Sequence, residues 1–182
     1  MNHFKLTNET KVNFLGRKLF RIELTLDCKW GKKGDKGGWI EKKPNLSGNA
    51  WVSGDAVVYG NAVVSGNARV SGNARVSGNA RVSGNARVSG NARVSGDAVV
   101  YGDAVVSGDA VVSKKVLFLN FVYNLTLTDN HIRYGCIQKT ISEWIEWIYS
   151  DEVIVTRRGT DKFKLIELSL KLAIEQHKQL KP

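Results

Sequence analysis

The chain has 182 residues, 42% of them hydrophobic, and a net charge of +10, a balance that excludes wholesale disorder and leaves room for one domain or two very small ones. Two cysteines, Cys28 and Cys136, cannot build a disulfide framework, and no apolar run reaches the length of a secretory or membrane segment, so the expected compartment is reducing and intracellular. Residues 1–46 carry 11 basic and 5 acidic groups, residues 47–112 carry 5 and 4, and residues 113–182 carry 11 and 8. Eleven of the 18 glycines fall in the middle block and four of the five tryptophans lie outside it. The chain therefore reads as a β-rich N-terminal cap (1–46), a repeat (47–112) and an α+β C-terminal cap (113–182).

In the first segment Phe4 to Leu6, Leu19 to Leu26 and the short Trp39-Ile40 pair read as strands, with turns over Lys32 to Gly38. The aromatic and aliphatic residues here suit a small core that closes the end of the repeat. Lys32, Lys33, Lys36 and Trp39 form a basic loop that could meet phosphate or face solvent.

From Ser47 to Val112 the sequence is an uninterrupted series of six-residue units of the form Ser/Tyr, Gly, Asn/Asp, Ala, variable, Val. A glycine in every unit excludes a helix. Ala and Val stand two apart, so on an extended segment they share a face and the variable residue between them points outward. Ser-Gly-Asn then supplies a corner, and three units of six residues close one triangular coil, with coils stacked in parallel about 4.8 Å apart. Asn or Asp at each corner can form ladders of side-chain hydrogen bonds between coils. The outward columns are Trp51, Arg69, Arg87, Val105; Val57, Arg75, Arg93, Val111; and Val63, Arg81, Val99. Arginine thus girdles the middle coils, with apolar residues towards both ends. Trp51 and the terminal valines need cover from a cap or another subunit.

After the repeat, Val116 to Phe121 and Tyr123 to Thr128 read as strands, Asp129-Asn130 as a turn before His131 to Gly135. Thr140-Ile-Ser-Glu143 has capping-box spacing and predicts a helix whose face carries Ile141, Trp144, Ile145 and Ile148. Residues 151–156 read as a short helix. A last helix from Asp161 to Gln179 puts Phe163, Ile166, Leu170, Ala173, Ile174 and His177 on one stripe.

Three segments together carry a family resemblance. They are Phe4-Lys-Leu-Thr7 with Lys33-Gly-Asp-Lys-Gly-Gly-Trp-Ile-Glu41, the repeat itself, and Thr126-Leu-Thr-Asp-Asn-His-Ile-Arg-Tyr-Gly-Cys136 continuing to Glu143-Trp144. With these the chain resembles phage- and prophage-encoded hexapeptide-repeat proteins, often labelled only as transferases or as uncharacterised. The resemblance implies a mainly β fold, a left-handed parallel β-helix, inside a bacterial host cell. Members of that group often have a histidine three residues after the cysteine, where this chain has Lys139, so Cys136 is expected to be a buried apolar thiol.

Two classes of function compete. Hexapeptide-repeat acyltransferases need a general base, but the repeat holds no histidine; of His3, His131 and His177, the first is near a terminus and the last is in a packing stripe. The expectation is accordingly no enzyme, no catalytic residue, no metal and no cofactor. The alternative is a binding protein, with Arg69, Arg75, Arg81, Arg87 and Arg93 as the candidate surface and the Lys32 to Trp39 loop and His131 as secondary candidates. Arginines one coil apart repel by about 1 kcal/mol when hydrated, which an anionic partner would relieve; a solvated coat on a structural scaffold is the competing reading. An intracellular protein is preferred over nucleic acid, because no aromatic and basic stacking platform is visible. An inhibitor of host defence is one such role, and a homodimer or homotrimer is expected.

Overall fold

The chain enters as a three-stranded antiparallel sheet, β1 (Phe4–Val12), β2 (Lys18–Leu24) and β3 (Lys36–Ile40), and then passes through a 3-10 turn, Lys43–Asn45. This computed structural model describes residues 3–114, 117–120, 122–153 and 156–180. Eleven two-residue strands follow at intervals of six: β4 (Trp51–Val52), β5 (Val57–Val58), β6 (Val63–Val64), β7 (Arg69–Val70), β8 (Arg75–Val76), β9 (Arg81–Val82), β10 (Arg87–Val88), β11 (Arg93–Val94), β12 (Val99–Val100), β13 (Val105–Val106) and β14 (Val111–Val112). Strands 18 residues apart pair in parallel, giving three faces ordered β4-β7-β10-β13, β5-β8-β11-β14 and β6-β9-β12. The expected parallel β-solenoid of triangular coils, and its assignment of residues to faces, are what is observed.

The corners explain the glycines. Each repeat glycine has φ between 61° and 73°, a left-handed conformation that costs a residue with a Cβ about 1–2 kcal/mol. Space is short as well: a Cβ on Gly78 would stand 2.9 Å from the backbone N and O of Gly96, one coil on. Between corners, every Ala from Ala50 to Ala110 and every Val from Val52 to Val112 in the inward columns is buried, and each valine contributes roughly 1.5–3 kcal/mol.

Polar ladders run along the corners. Asn61 Nδ2 donates to Asn79 Oδ1, and Asn79 Nδ2 to Asp97 Oδ1. Parallel series link Asn67, Asn85 and Asp103, and Asn73, Asn91 and Asp109. Every ladder ends on an aspartate, a carboxylate that accepts and has nothing to hand on. Two begin on a lysine: Lys42 Nζ donates to Asn61 Oδ1 and Lys29 Nζ to Asn67 Oδ1. The third begins at Asn73; Asp55, at the corner before it, has no amide to donate and lies 4.0 Å from Arg21.

The first segment closes the open edge of the coils. Within the stack the N–H groups of the outward residues and of the corner Ser and Asn bond carbonyls 17 residues on, as from Val57 N to Ala74 O at 2.9 Å, so the first coil presents carbonyls with no coil beneath. Trp39 N takes Ala56 O, Glu41 N takes Val58 O, the Asn45 amide takes Gly60 O and Ala62 O, and Ser47 N takes Val64 O. Asn45 is only 1% exposed because it plugs this edge. β3 pairs in parallel with β5, Trp39 opposite Val57, so one face of the solenoid continues into the antiparallel sheet. Trp51 and Val57 are thereby buried within this chain. Lys36 to Gly38, expected as turn, belong to β3: Gly37 and Gly38 pass so close to Trp51 and Val52 that no Cβ fits, and the backbone there is extended.

Residues 117–182 form a second unit with its own core, distinct from the unit of residues 1–116. β15 (Leu117–Asn120), β16 (Asn124–Leu127), β17 (His131–Tyr134) and β18 (Ile137–Thr140) make an antiparallel meander, followed by α1 (Ile141–Tyr149) and α2 (Asp161–Leu180). The capping box forms as expected: Glu143 N donates to Thr140 Oγ1 and Thr140 N to Glu143 Oε2. Two expectations are corrected, and one strand, β18, is added to them. α1 buries Trp144, Trp147 and Ile148 and leaves Ile145 partly exposed, because Trp147 is clamped between Trp144 and Phe163. Residues 151–153 are not helical, and Ile154 and Val155 lie outside the described residues. β18 follows Gly135, whose φ of 60° turns the chain back onto β17. The expected stripe of α2, His177 included, is buried, and His177 Nε2 lies 2.7 Å from Asp129 O.

Candidate functional site

The five arginines of the repeat are exposed, and among the described residues none forms an ion pair. Strand pairing sets their spacing: Arg69 lies beside Arg87 on one face, Arg75 beside Arg93 on the next, and Arg81 between Val63 and Val99 on the third. Arginine has no neutral form at physiological pH, so on two faces two fixed charges stand one strand spacing apart, about 4.8 Å.

The N-terminal segment adds to both of these faces. A groove of about 520 Å³ on the Arg69 face is lined by Lys29, Trp30, Arg69 and Arg87, with Asp103 at its far end. Trp30 is fixed there by its Nε1, which donates to Asn49 O at 2.6 Å, and its ring takes the Lys29 ammonium at 4.6 Å and the Arg69 guanidinium at 5.9 Å. On the Arg75 face a groove of about 500 Å³ holds Lys11, Phe14, Arg75 and Asn91. Phe14 tops the β1–β2 turn, 73% exposed, and Arg75 stacks 5.7 Å from its ring. Asn13 shapes that turn by accepting from Leu15 N and Arg17 N, so the aromatic is displayed by a built loop. Burial of the Lys11 ammonium, with Arg21 and Arg75 close by, holds its pKa below the usual lysine value against the pull of Asp55.

These contacts correct one expectation. Sequence order separates Trp30 and Phe14 from the arginines by tens of residues, yet folding sets one aromatic beside the basic column of each face. Nothing periodic marks either residue; an aromatic at a hairpin tip, Phe14-Leu-Gly16, is the one local signal, since polar residues are usual there.

The secondary candidates are dispersed. Lys32 and Lys33 sit in the turn, where their backbone N–H groups bond Asp35 and Asp27. Lys36 pairs with Glu23 at 3.0 Å, and with Lys5 it holds the Glu23 carboxyl below its ordinary range. Trp39 is a core residue, packed with Leu19, Val57 and Tyr59 and covered by Lys11 and Arg21. His131 belongs to the second unit, where its backbone is bound by Thr128. Cys136, expected to be buried, is exposed, because the turn at Gly135 carries it out of the sheet's packed face; Cys28 is half-buried. Among the described residues no helix is long and apolar enough to cross a membrane.

The repeat matches a family described as the YdcK beta solenoid repeat, in overlapping windows at residues 50–67, 58–72, 64–78, 68–84, 74–89, 80–96 and 86–102. Together with the coil pairing this settles the architecture. The chain is a repeat β-solenoid protein. The matched windows stop short of both flanking segments, so the likeness speaks for the coils alone. No curated protein matches the chain.

Proposed function

We propose that this β-solenoid is a non-catalytic binding protein whose arginine-bearing faces engage an acidic surface on a macromolecular partner. The observation that carries the reading is the placement of Arg69 and Arg87 beside Trp30, and of Arg75 beside Phe14, with no acidic residue paired to any of the arginines among the described residues. Unpaired like charges on a rigid face repel one another, and a partner's carboxylates would relieve that repulsion while the adjoining aromatics supply apolar contact. A protein is preferred over nucleic acid because the Arg69 and Arg75 faces set one aromatic each beside their arginines, whereas a single strand is held by a succession of stacking rings. The family resemblance of the sequence extends the reading to a phage- or prophage-encoded protein acting inside a bacterial cell, as an inhibitor of host defence and as a homodimer or homotrimer.

The test is a partner isolated with the wild-type chain and then purified. Charge reversal at Arg69, Arg87, Arg75 and Arg93 should abolish its binding with the circular dichroism spectrum unchanged, and rising salt should weaken the wild-type complex. Unchanged affinity in the fourfold variant refutes the reading. Binding of random-sequence duplex DNA with a steep salt slope would favour the nucleic-acid alternative.

A further inference from the structure

The tip of the β1–β2 hairpin carries an apolar patch that folding leaves uncovered. Val12, Phe14 and Leu15 are 66%, 73% and 58% exposed, the most exposed large apolar side chains among the described residues of the first unit. They stand on a closed turn: Val12 pairs with Lys18 across the hairpin, Asn13 N donates to Arg17 O, Gly16 N to Asn13 O, and Leu15 N and Arg17 N to Asn13 Oδ1. A Cβ on Gly16 would meet no atom beyond its chain neighbours within 4 Å, so the end of the turn stands clear. Its surroundings are basic. Residues 10–22 hold four cationic groups and no acidic one. Arg17 pairs with Glu41, but Lys18 has no acidic partner among the described residues. Arg75 stacks on Phe14, and Arg93 lies beside Arg75 one coil on.

An exposed apolar patch rimmed by polar groups marks a surface that meets another body, and two features here say which. Charge is the first: fixed cations around apolar side chains fit an anionic surface, and a guanidinium beside the ring can grip phosphate oxygens with two N–H groups at once. The backbone is the second. The N–H groups of residues 13, 15, 16 and 17 are all spent inside the turn. Protein interfaces draw on loop donors of this kind, at about one hydrogen bond per 100–200 Å², whereas in lipid the backbone polar groups have to be satisfied internally. A protruding turn of Val, Phe and Leu with its N–H groups occupied and a basic collar therefore suits the boundary of a bilayer, where apolar burial and attraction to anionic headgroups add together.

We propose that the β1–β2 tip docks on an anionic phospholipid surface, with Phe14 and Leu15 entering the boundary between headgroups and acyl chains and Lys18, Arg75 and Arg93 meeting the phosphates. The inference goes beyond the protein-binding reading and can fail without it, since vesicles hold no protein. The full-length chain is sedimented with vesicles of phosphatidylglycerol and phosphatidylcholine in equal parts, and again with phosphatidylcholine alone. Each basic residue near an anionic surface strengthens partitioning about fivefold, so the mixed vesicles should bind at least about tenfold more tightly than the neutral ones, and salt should weaken them. Phe14→Ser combined with Leu15→Ser should lower that binding about tenfold or more, with the circular dichroism spectrum unchanged. Leu26→Ser, an exposed apolar residue just past the other end of β2, should leave it as it is. In anionic bicelles holding a lipid spin-labelled on its acyl chain, amides 12–16 should broaden first. The proposal is overturned if the mixed vesicles do not bind, or if the double variant binds them as well as the wild type, which would leave only the attraction of a chain of charge +10. Broadening that begins elsewhere overturns it too. So does a double variant that loses a purified protein partner where the wild type ignores vesicles, which would assign the tip to that protein.

Discussion

The coils of the first unit and the meander with two helices in the second bury their cores by opposite routes. In the coils one small set of contacts is repeated: Ala and Val inward, glycine at the corner, an amide handed from coil to coil, each unit touching its neighbours 18 residues away. In the second unit no contact recurs, and Trp144, Trp147 and Phe163 from two helices close on one another beneath the sheet. Loss of one part should therefore be shared along a stack and be ruinous in an aperiodic core.

The sharpest way to break this contrast is Trp144→Ala. It removes the largest fully buried side chain and leaves Ile132 O without its donor, an expected cost of about 3–5 kcal/mol. Amide spectra should show the second unit unfolding at a temperature where the repeat resonances persist; a single joint transition would show the two units to be one cooperative body.

Next in size is a pair of glycine changes within the coils. Gly78→Ala meets both the left-handed φ of 69° and backbone atoms at 2.9 Å, whereas Gly96→Ala meets φ of 62° with its nearest neighbour at 3.4 Å. Gly96→Ala should cost about 1–2 kcal/mol and Gly78→Ala clearly more. Equal denaturation midpoints would mean that conformation alone, and not the approach of coils, demands glycine.

A smaller effect separates the ladder's members. Asn79→Asp deletes the donor to Asp97 and sets two carboxylates side by side, an expected loss of about 1 kcal/mol that salt should reduce. Asp97→Asn should be nearly neutral, because the amide still offers an oxygen. Reversal of that order, measured by urea unfolding, would remove the directional account of the ladder.

The smallest expected effect is on acidification, and it touches both units. Burial pushes the Glu41 carboxyl up, but Gly60 N–H and Arg17 outweigh it and hold the pKa below the ordinary 4.5; the Thr140 backbone and hydroxyl do the same for Glu143. A pKa depressed on folding gives stability that is complete above the unfolded value and is lost as pH falls through the folded one. Thermal midpoints should thus drop below about pH 4.5. Glu41→Gln should flatten that drop for the first unit only; an unchanged profile would place the acid-sensitive carboxylates elsewhere.

How far the fold could be read from sequence follows the same divide. Coil register, inward columns and ladders are consequences of a period, and a period survives in one dimension. The second unit was legible where a local rule sufficed, as in the Thr140 and Glu143 cap and the stripe of α2. It was not where three-dimensional neighbours decide: the inner face of α1 depends on Phe163 reaching Trp147, and β18 carries Gln138 and Lys139 in its middle and lacks an alternating pattern. For the candidate surface, the arginine columns were visible and their aromatic companions were not, since Trp30 and Phe14 come from loops whose landing point only the folded chain defines.

The aspartates at the far end of each ladder give a chain of near-identical units a direction of growth. Five copies of Ser-Gly-Asn-Ala-Arg-Val occupy residues 65–94, and the units that follow carry Asp. A duplicated Asn unit can be spliced among its copies with the relay unbroken, while an Asp unit copied inward would halt it. Lengthening is thereby confined to the interior, in steps of three units if each column is to keep its face, and every added coil of that kind brings three further arginines. Rod length and surface charge are coupled by the repeat itself, so a lineage that tunes one to a partner's dimensions alters the other with it.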